Sequence, residues 1–348
     1  MKKINFRISN RILNQFSSPY IIAEIGINHN RSINNAFKMI DYASNAKCDA
    51  VKFQTININK LMIKNSPLAN YQKTKKIRNM NQLILKYNFN YNDFEKIKKY
   101  CDKKKITFLS TPFDEESADF LNKINVKAFK ISSSDNDNLN LLKAIKKFNK
   151  PIILSTGMSN YSEINAIIDK LKIKKNKLCL LHCITDYPTN LAESQIGYIN
   201  KLKKLGYPVG YSDHTIGETA SIAALSLGAI IIEKHITLSN KMEGPDHIAS
   251  LECKYLKKFV SDLKNIKKSL NVSDRYMSQT ENRNKKVAKK TIYFSKKLKK
   301  NHTIKIQDLQ VLRPRKNGKS PIFINDFVGK KLKEDIDIQQ ILEKKLFY

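Results

Sequence analysis

Five of the six histidines in the chain follow short apolar segments rich in β-branched residues; they are His29, His182, His214, His235 and His247. An imidazole changes charge near neutral pH and is a common metal ligand, so this clustering indicates metal binding or proton transfer. His214 and His235 end the last two of eight such segments, where neighbouring strands would bring them together. Two imidazoles without a cysteine suit an ion that keeps several waters, such as manganese or magnesium, better than a closed zinc site. The alternative is a pair of hydrogen-bonded core histidines.

Two lysines differ from the others because each lies inside an apolar segment. Lys52 occurs in AVKFQ and Lys130 in AFKIS, where a buried ammonium without a partner would be costly. A bound anion would remove that cost, and hydroxyl groups on the ends of other segments could surround a phosphate; they belong to Thr111, Ser133, Ser155 and Ser212. The sequence therefore predicts a phosphorylated, carboxylated small molecule as ligand. A structural ion pair is the alternative for either lysine.

The other segments also end in polar residues, so each of the eight delivers a hydrogen-bonding or ionisable group. The groups not yet named are Glu24, Asn28, Gln54, Ser110, Ser132, Ser134, Asp135, Thr156, Thr185, Asp186, Tyr187, Asp213, Glu233 and Lys234. In a barrel of parallel strands these ends meet on one face, where functional residues collect.

Between Pro19 and His235, the eight segments alternate with lysine-rich segments of helical periodicity. The eight are YIIAEI at 20–25, AVKFQ at 50–54, ITFLS at 106–110, KAFKIS at 127–132, PIILST at 151–156, LCLLHC at 178–183, PVGYSD at 208–213 and AIIIEKH at 229–235. Most lack polar alternation, as is typical of parallel strands covered on both faces. The pattern predicts an α/β fold, a (β/α)8 TIM barrel. A doubly wound open sheet is the alternative, although no glycine-rich dinucleotide motif follows the first strand.

Composition divides the chain into a barrel domain at 1–270, a polar linker at 271–285 and a small, mostly β module at 286–348. Within the barrel, residues 56–90 separate the second strand from its helix, and such a connection is far longer than usual. An insertion there lies on the face that carries the site and could cover a substrate. A surface excursion without a role is the alternative.

The composition argues against several classes of protein. The net charge of +33 comes almost entirely from lysines spread along the chain, not from an arginine-rich stripe, which argues against nucleic acid as a partner. No apolar run is long enough to span a membrane, and the basic N-terminus lacks the apolar core of a secretion signal. Five scattered cysteines without a CxxC pair fit a reducing compartment. We therefore expect a cytoplasmic protein that binds neither nucleic acid nor membrane.

Nine motifs, in order, resemble those of the sialic acid synthases, a family that includes N-acetylneuraminate synthase and N,N'-diacetyllegionaminate synthase. They are AEIGINHN, DAVKFQT, FLSTPFD, FKISSSD, PIILSTGM, LLHCITDYPT, GYSDHT, EKHITL and GPDHIAS. The resemblance covers nearly the whole chain from Tyr20 onward. The C-terminal piece resembles the antifreeze-like (SAF) module of these enzymes.

The resemblance implies sites for phosphoenolpyruvate, an N-acetylated amino sugar and a divalent metal. The implied phosphoenolpyruvate ligands are Lys52, Thr111, Lys130, Ser133, Ser155 and Ser212, and the implied sugar ligands are Gln54, Asp135, Tyr187 and Arg313. His214 and His235 are the implied metal ligands, with Mn²⁺ expected and Mg²⁺ or Co²⁺ as alternatives. A domain-swapped homodimer is also implied, in which Arg313 reaches the active site of the partner subunit. FKISSSD has serines where the family usually has glycines, Asp135 replaces the glutamate of many members, and RPRKNG replaces an RPGNG-like turn.

The implied reaction joins phosphoenolpyruvate to the aldehyde carbon of the sugar and releases phosphate, giving a nine-carbon keto acid. A carboxylate must take the proton of the attacking water; Glu24 is the first candidate and Asp246 the second. The expected acceptor is N-acetylmannosamine or a diacetamido 6-deoxy analogue, and SPLANYQKTK at 66–75 favours the legionaminate-type members. Two other functions stay open. One is a related synthase acting on a phosphorylated sugar, although the rim lacks an arginine cluster for a second phosphate; the other is a binding protein without catalysis.

Overall fold

The computed structural model describes residues 4–63, 66–69, 77–272 and 274–348. The chain forms two compact units, Met1–Asn271 and Val272–Tyr348, each with its own apolar core. Within the described ranges, no helix is both long and apolar enough to cross a membrane.

The first unit alternates strands and helices. Its strands are β1 (Phe6–Ile8), β2 (Arg11–Leu13), β3 (Tyr20–Gly26), β4 (Ala50–Thr55), β5 (Thr107–Pro112), β6 (Phe129–Ile131), β7 (Ile152–Ser155), β8 (Leu178–His182), β9 (Val209–Asp213), β10 (Ile231–Thr237) and β11 (Leu251–Glu252). Its helices are α1 (Ile33–Asn45), α2 (Ile58–Leu61), α3 (Met80–Tyr87), α4 (Tyr91–Lys103), α5 (Glu115–Lys123), α6 (Leu139–Lys147), α7 (Tyr161–Leu171), α8 (Tyr198–Lys203), α9 (Thr219–Ser226) and α10 (Leu256–Leu270).

Strands β3–β10 form the barrel that the sequence predicts. The hydrogen-bonded path runs β5-β4-β3-β10-β9-β8-β7-β6, and its ladders are parallel. The first strand pairs with the last, from Tyr20 opposite Ile231 to Glu24 opposite His235. The strands at the two ends of the path, β5 and β6, contact each other and complete the circle. Because an open doubly wound sheet does not close in this way, that alternative is excluded.

The barrel strands are buried on both faces, which explains their continuous apolar runs. Every residue of β3 and of β10 is buried. Outward side chains such as Ile21 pack against Met39 of α1 and Phe94 of α4 in one large core. Several helices begin at capping side chains: the Asn160 side chain accepts from the Glu163 amide at the start of α7, and Glu163 caps in return.

A short hairpin covers the N-terminal end of the barrel. Strands β1 and β2 pair antiparallel, and Phe6, Ile8 and Leu13 are fully buried. They pack with side chains from the interior of the barrel, namely Ile22, Leu109, Ile153, Leu181 and Ile231. This hairpin closes one end of the barrel, and the mixed N-terminal sequence does not predict it.

The long connection between β4 and α4 carries two helices of its own, α2 and α3. Ile77, Leu83 and Tyr87 form a small apolar cluster there, against which Ile27 and Met80 pack. Residues 64–65 and 70–76 lie outside the described residues, and with them most of SPLANYQKTK. The described part of the insertion is a folded lobe with an apolar core.

The second unit begins with a helix and continues in short strands. They are α11 (Gln279–Ala288), β12 (Thr291–Phe294) and β13 (Leu309–Leu312), with the two strands antiparallel. Ile292, Phe294 and Leu332 lie in its core. Helix α11 spans residues 279–288, of which 279–285 belong to the predicted linker and 286–288 to the predicted module. The missed signal is a capping serine, because the Ser278 side chain accepts from the amide of Glu281.

Candidate active site

A cavity of about 530 Å³ lies at the C-terminal end of the barrel strands. All but two of the predicted site residues line it: Glu24, Lys52, Gln54, Thr111, Lys130, Ser133, Ser155, Tyr187, Ser212, His214, His235 and Asp246. Those on the strands converge because alternate strand residues point to the same face, here the barrel interior.

The two exceptions are Asp135 and Arg313. Asp135 is buried, but its carboxylate accepts hydrogen bonds from Ser132 and Ser134 at 2.8 and 2.9 Å, within its own turn. Arg313 belongs to the second unit, where its side chain is exposed. In the described part of the chain, no hydrogen bond or ion pair holds its guanidinium.

Lys52 has carboxylate partners inside the protein. Its Nζ lies 3.0 Å from Glu24 Oε2 and 3.8 Å from Glu233 Oε1, and it donates to Thr111 Oγ1 at 3.2 Å. Burial lowers the pKa of Lys52, but Glu233 and Glu24 outweigh burial and leave that pKa raised. The expectation that a bound anion alone compensates this lysine is therefore incomplete, because the ionised Glu233 carboxylate already does so in part.

Lys130 lies near the same oxygen of Glu233 as Lys52. Its Nζ donates to Ser155 Oγ at 2.6 Å and lies 3.6 Å from Glu233 Oε1. Burial is the largest influence and lowers the pKa of Lys130. Glu233 also accepts from Ser212 Oγ at 2.9 Å. The opposing influence of burial on Glu233 is outweighed by Lys130 and Lys52, so its pKa is lowered.

Glu233 is thus a site residue that the sequence analysis leaves out of its predicted set. It lies on the inner face of β10, two positions before His235, and lines the cavity. The sequence does contain a signal for Glu233, namely its spacing of two residues from His235. Residues i and i+2 of a strand share a face.

The part of the cavity around its two lysines carries net positive charge near neutral pH. Burial raises the pKa of Glu24 to about 8, although Lys52 opposes the shift, so Glu24 is largely protonated at pH 7. Two ammonium groups, Lys52 and Lys130, then face one ionised carboxylate, Glu233. The excess positive charge, together with the hydroxyls of Thr111, Ser155 and Ser212, suits a small ligand with several negative charges.

His214 and His235 lie side by side, with ring centroids 5.7 Å apart. His214 Nδ1 lies 2.5 Å from the carbonyl oxygen of Ile184 and must donate to it, which leaves Nε2 as the unprotonated nitrogen. Burial lowers the pKa of His214 to about 4. It also lowers the pKa of His235, and the positive charge of Lys52 adds to that effect. Both rings are therefore neutral, which is the form that binds metals.

The histidine pair fits a divalent ion that keeps open positions. His235 Nδ1 is buried and, among the described residues, has no hydrogen-bond partner. No third histidine, cysteine or carboxylate in the described ranges completes a closed ligand set with the pair. Two neutral imidazoles leave the remaining positions of an ion to water and substrate, as a Mn²⁺ or Mg²⁺ site does. Tyr187 packs against His214 with ring centroids 4.1 Å apart and ring planes tilted by 31°.

Asp246 enters the cavity from the loop after β10. Burial raises the pKa of its carboxyl group to about 6. Glu24 and Asp246 therefore differ in charge near neutral pH, the first largely protonated and the second largely ionised. Two carboxyl groups with separated pKa values can serve as an acid and a base in one reaction.

Several other polar residues at the strand ends do not line the cavity. Lys234 on β10 pairs with Asp213 on β9 at 3.1 Å, and His182 Nε2 lies 2.8 Å from the carbonyl oxygen of Ser194. His29 stacks on Phe89 with ring centroids 4.0 Å apart. Of the five histidines clustered in the sequence, His214 and His235 line the cavity.

The upper wall of the cavity is apolar on the side of the insertion. It is formed mainly by Ile27, Ile56, Leu61, Met62, Met80, Leu83, Ile84 and Phe113. The insertion therefore contributes to the site, as the sequence analysis expects. The cavity has a charged, hydroxyl-rich floor and an apolar wall, which suits a ligand with polar and methyl-bearing ends.

Known proteins are similar to this chain in sequence. A family model described as the NeuB family matches residues 39–275. The chain is 39% identical to an N,N'-diacetyllegionaminic acid synthase of Campylobacter jejuni, over 89% of this chain and 94% of that protein. It is 32% identical to a protein of the same name from Legionella pneumophila, over 90% of each chain.

A solved structure has the same fold. It is the N-acetylneuraminic acid (sialic acid) synthetase of Leptospira borgpetersenii, crystallised in complex with citrate. That chain is 34% identical, with a TM-score of 0.72, and the match covers 81% of this chain and 95% of that one. With the family model, the relatives and the closed barrel in agreement, the chain belongs to the NeuB family of sialic-acid-type synthases.

Proposed function

We propose that this chain is a nonulosonic acid synthase that condenses phosphoenolpyruvate with an N-acetylated amino sugar and releases phosphate. One observation carries the proposal: Lys52, Lys130, His214 and His235, which are far apart in the chain, line one cavity. The lysines supply a site for an anion, and the neutral imidazoles supply two ligands for a metal. The reaction needs both beside each other.

The phosphoenolpyruvate site consists of the two lysines and the hydroxyls around them. Lys130 is already oriented by Ser155, and Lys52 by Thr111. The Ser133 hydroxyl accepts from the Gly157 amide at 3.1 Å and also lies 3.1 Å from Cys183 Sγ. Gly157 suits this turn because a Cβ there would lie 2.7 Å from Ser133 Oγ. These groups neutralise the phosphate as it leaves.

The chemistry forms one carbon–carbon bond and breaks one carbon–oxygen bond. C3 of phosphoenolpyruvate attacks the aldehyde carbon of the open-chain sugar, whose oxygen takes a proton, and positive character develops at C2. Water adds to C2 and loses a proton. The resulting phosphohemiketal collapses to a ketone, and its hydroxyl proton leaves with the phosphate. A divalent ion held by His214 and His235 would polarise the aldehyde and stabilise negative charge on its oxygen.

The two carboxyl groups divide the proton transfers between them. Glu24, with its pKa raised to about 8, holds a proton at pH 7 and can donate it to the aldehyde oxygen. Asp246, with its pKa near 6, is ionised and can accept the proton of the attacking water. The assignment differs from the expectation from the sequence, in which Glu24 is the first candidate for the base and Asp246 the second.

The apolar wall favours a diacetamido 6-deoxy acceptor over N-acetylmannosamine. A methyl group can pack against Leu83 and Ile84, whereas a hydroxymethyl group there would lose hydrogen bonds to water. Both relatives named above are N,N'-diacetyllegionaminic acid synthases. Ile84→Asn should therefore lower the preference for the deoxy acceptor about tenfold, since one methyl group is worth 10- to 200-fold in an apolar pocket. Leu85→Asn is the control, because Leu85 is exposed on the same helix.

The proposed assembly is a domain-swapped homodimer in the cytoplasm, with Arg313 of one subunit at the sugar site of the other. Loops around the cavity present exposed apolar side chains, with Met158, Ile216 and Ile248 exposed by 66%, 70% and 63%. Exposed apolar side chains on loops at this end of the barrel suit a protein partner. All five cysteines are free, as is typical of a reducing compartment. The SAF-like module would then complete the site.

The decisive experiment incubates the enzyme and Mn²⁺ with phosphoenolpyruvate and each acceptor separately, and measures phosphate release and product mass. We expect a nine-carbon keto acid and faster turnover of the deoxy sugar. Turnover of a phosphorylated aldose instead would favour the sister synthases. No consumption of phosphoenolpyruvate with any acceptor would reject the proposal.

A further inference from the structure

The loop between β10 and β11, residues 238–250, carries Asp246 into the cavity. In the described part of the chain, the Asp246 carboxylate has no hydrogen-bond or ion-pair partner. Its direction must therefore come from the backbone that carries it. Polar side chains from the AEIGINHN and GPDHIAS motifs hold this backbone, and the proposed chemistry leaves those side chains without a role.

The first contact runs through His247, directly after Asp246. Its Nε2 lies 3.1 Å from Asn30 Oδ1, and its Nδ1 lies 2.7 Å from Thr237 Oγ1. Burial lowers the pKa of His247 to about 4, so the ring is neutral. With its proton on Nε2 the ring donates to Asn30, and its Nδ1 faces the Thr237 hydroxyl, which also contacts the carbonyl oxygen of Ser239. Asn30 Nδ2 then donates to the carbonyl oxygen of Glu243 at 3.0 Å and ties the other arm of the loop.

The second contact runs through Asn28, which is 1% exposed. Its Nδ2 lies 2.9 Å from the carbonyl oxygen of Ile236 and 2.8 Å from Ser250 Oγ. The Ser250 hydroxyl donates to the backbone carbonyl of Asp246 at 2.6 Å. A chain of hydrogen bonds thus links the end of the first barrel strand to the peptide group of Asp246 itself.

The loop also requires a glycine for close packing. Gly244 has φ +153°, a conformation that side-chain-bearing residues rarely adopt, and a Cβ there would lie 2.7 Å from His247 Cδ2. The loop is therefore folded tightly around the histidine ring, with both of its arms fixed from the loop after β3.

We infer that Asn28, Asn30 and His247 are positioning residues that aim the Asp246 carboxylate at the reacting centre. The inference rests on the proposed function, in which Asp246 takes the proton of the attacking water. None of the three has to touch substrate; each acts through the backbone of one loop.

Hydrogen exchange tests the structural half without any substrate. Asn30→Ala should raise the exchange rate of amides in 238–250 about tenfold, the effect of one lost hydrogen bond, and leave the barrel strands unchanged. Asn34→Ala is the matched control, because Asn34 is exposed on the first turn of α1. Unchanged exchange in 238–250 would overturn the inference.

A double-mutant cycle tests the functional half. Asn30→Ala should lower kcat roughly 10- to 100-fold with an unchanged KM for phosphoenolpyruvate, as misplacement of a reacting group does. In an Asp246→Asn background, Asn30→Ala should lower kcat only slightly further, because the effects of substitutions at coupled residues are not additive. Equal losses in both backgrounds would overturn the role through Asp246. If the wild-type enzyme consumes no phosphoenolpyruvate, the proposed function fails, while the exchange result still decides whether the contacts hold the loop.

Discussion

The Lys130 ammonium lies 3.6 Å from the Glu233 carboxylate, in a buried cavity where the same carboxylate is 3.8 Å from Lys52. Glu233→Gln would leave two buried ammonium groups with less compensation. We expect the free energy of unfolding to fall by about 3–5 kcal/mol, as is usual when one partner of a buried ion pair is removed. Inorganic phosphate should raise the melting temperature of this variant more than that of the wild type, because the anion replaces the lost charge.

Thermal melts with and without saturating phosphate measure both effects. Glu218→Gln is the control, since its ion pair with Lys258, at 3.2 Å, lies on the surface and is worth little. A smaller phosphate response in Glu233→Gln than in the wild type would contradict the assigned anion site.

His235→Ala should remove metal binding and turnover while the protein stays folded. The ring is one of two neutral imidazoles in the cavity, and a single remaining imidazole would hold Mn²⁺ far more weakly. Electron paramagnetic resonance of added Mn²⁺ reports binding independently of activity. His302→Ala, in the second unit, is the control. Unaltered Mn²⁺ binding in His235→Ala would exclude this residue as a ligand.

Removal of divalent ions should stop phosphate release from phosphoenolpyruvate, and Mn²⁺ should restore it. The reason is that the acceptor aldehyde has to be polarised before the weakly nucleophilic enol carbon attacks. Dialysis against a chelator, followed by readdition of Mn²⁺, Mg²⁺ or Co²⁺, ranks the three ions. Full turnover in excess chelator would refute metal dependence.

Asp246→Asn should change how stability depends on pH. Burial raises the folded-state pKa from 3.8 to about 6, so between these values the folded protein holds a proton that the unfolded chain has lost. The wild-type free energy of unfolding therefore falls as pH rises through this window, by up to about 3 kcal/mol for two pKa units. The variant has no carboxyl group at this position, so its free energy of unfolding does not fall in this window. We therefore expect it to be more stable than the wild type above pH 6, but not near pH 3.8. Parallel pH curves for both proteins would show that Asp246 is not desolvated.

Arg313→Ala should raise KM for the acceptor sugar roughly 10- to 100-fold, because it removes a hydrogen bond from a charged group to the sugar. KM for phosphoenolpyruvate should stay unchanged. Steady-state kinetics with each substrate varied in turn measures the split. Arg275→Ala, which removes a surface ion pair with Glu281, is the control. An unchanged KM for the sugar would argue against the swapped arrangement.

The barrel was predictable because two signals agree along the chain, the apolar strand segments and the helical segments between them. The strand ends also indicated most of the site, since the C-terminal ends of barrel strands share one face. What the sequence could not give was the inward or outward direction of each residue. Neighbouring residues of a strand point to opposite faces of the barrel wall. Asp213 and Lys234 therefore pair outside the barrel, whereas Ser212 and Glu233, one position earlier, lie within it.

Two other features depend on contacts between distant segments. The hairpin at the N-terminus becomes stable only when Phe6 and Ile8 meet the barrel interior, and a basic, mixed segment gives no sign of that. The pKa values of Glu24 and Asp246 likewise depend on how deeply folding buries them. Both carboxyl groups were identifiable from sequence, whereas their protonation at neutral pH was not.

The N-terminal hairpin of β1 and β2 determines from which side molecules can reach the cavity. The N-terminal end of the barrel is filled by Phe6, Ile8 and Leu13. None of these side chains lines the cavity. Among the described residues, this end of the barrel is closed, so a ligand of the cavity would have to enter from the opposite face. Under the proposed function both reactants would pass that face, and the one bound nearer the closed end would have to enter first and leave last.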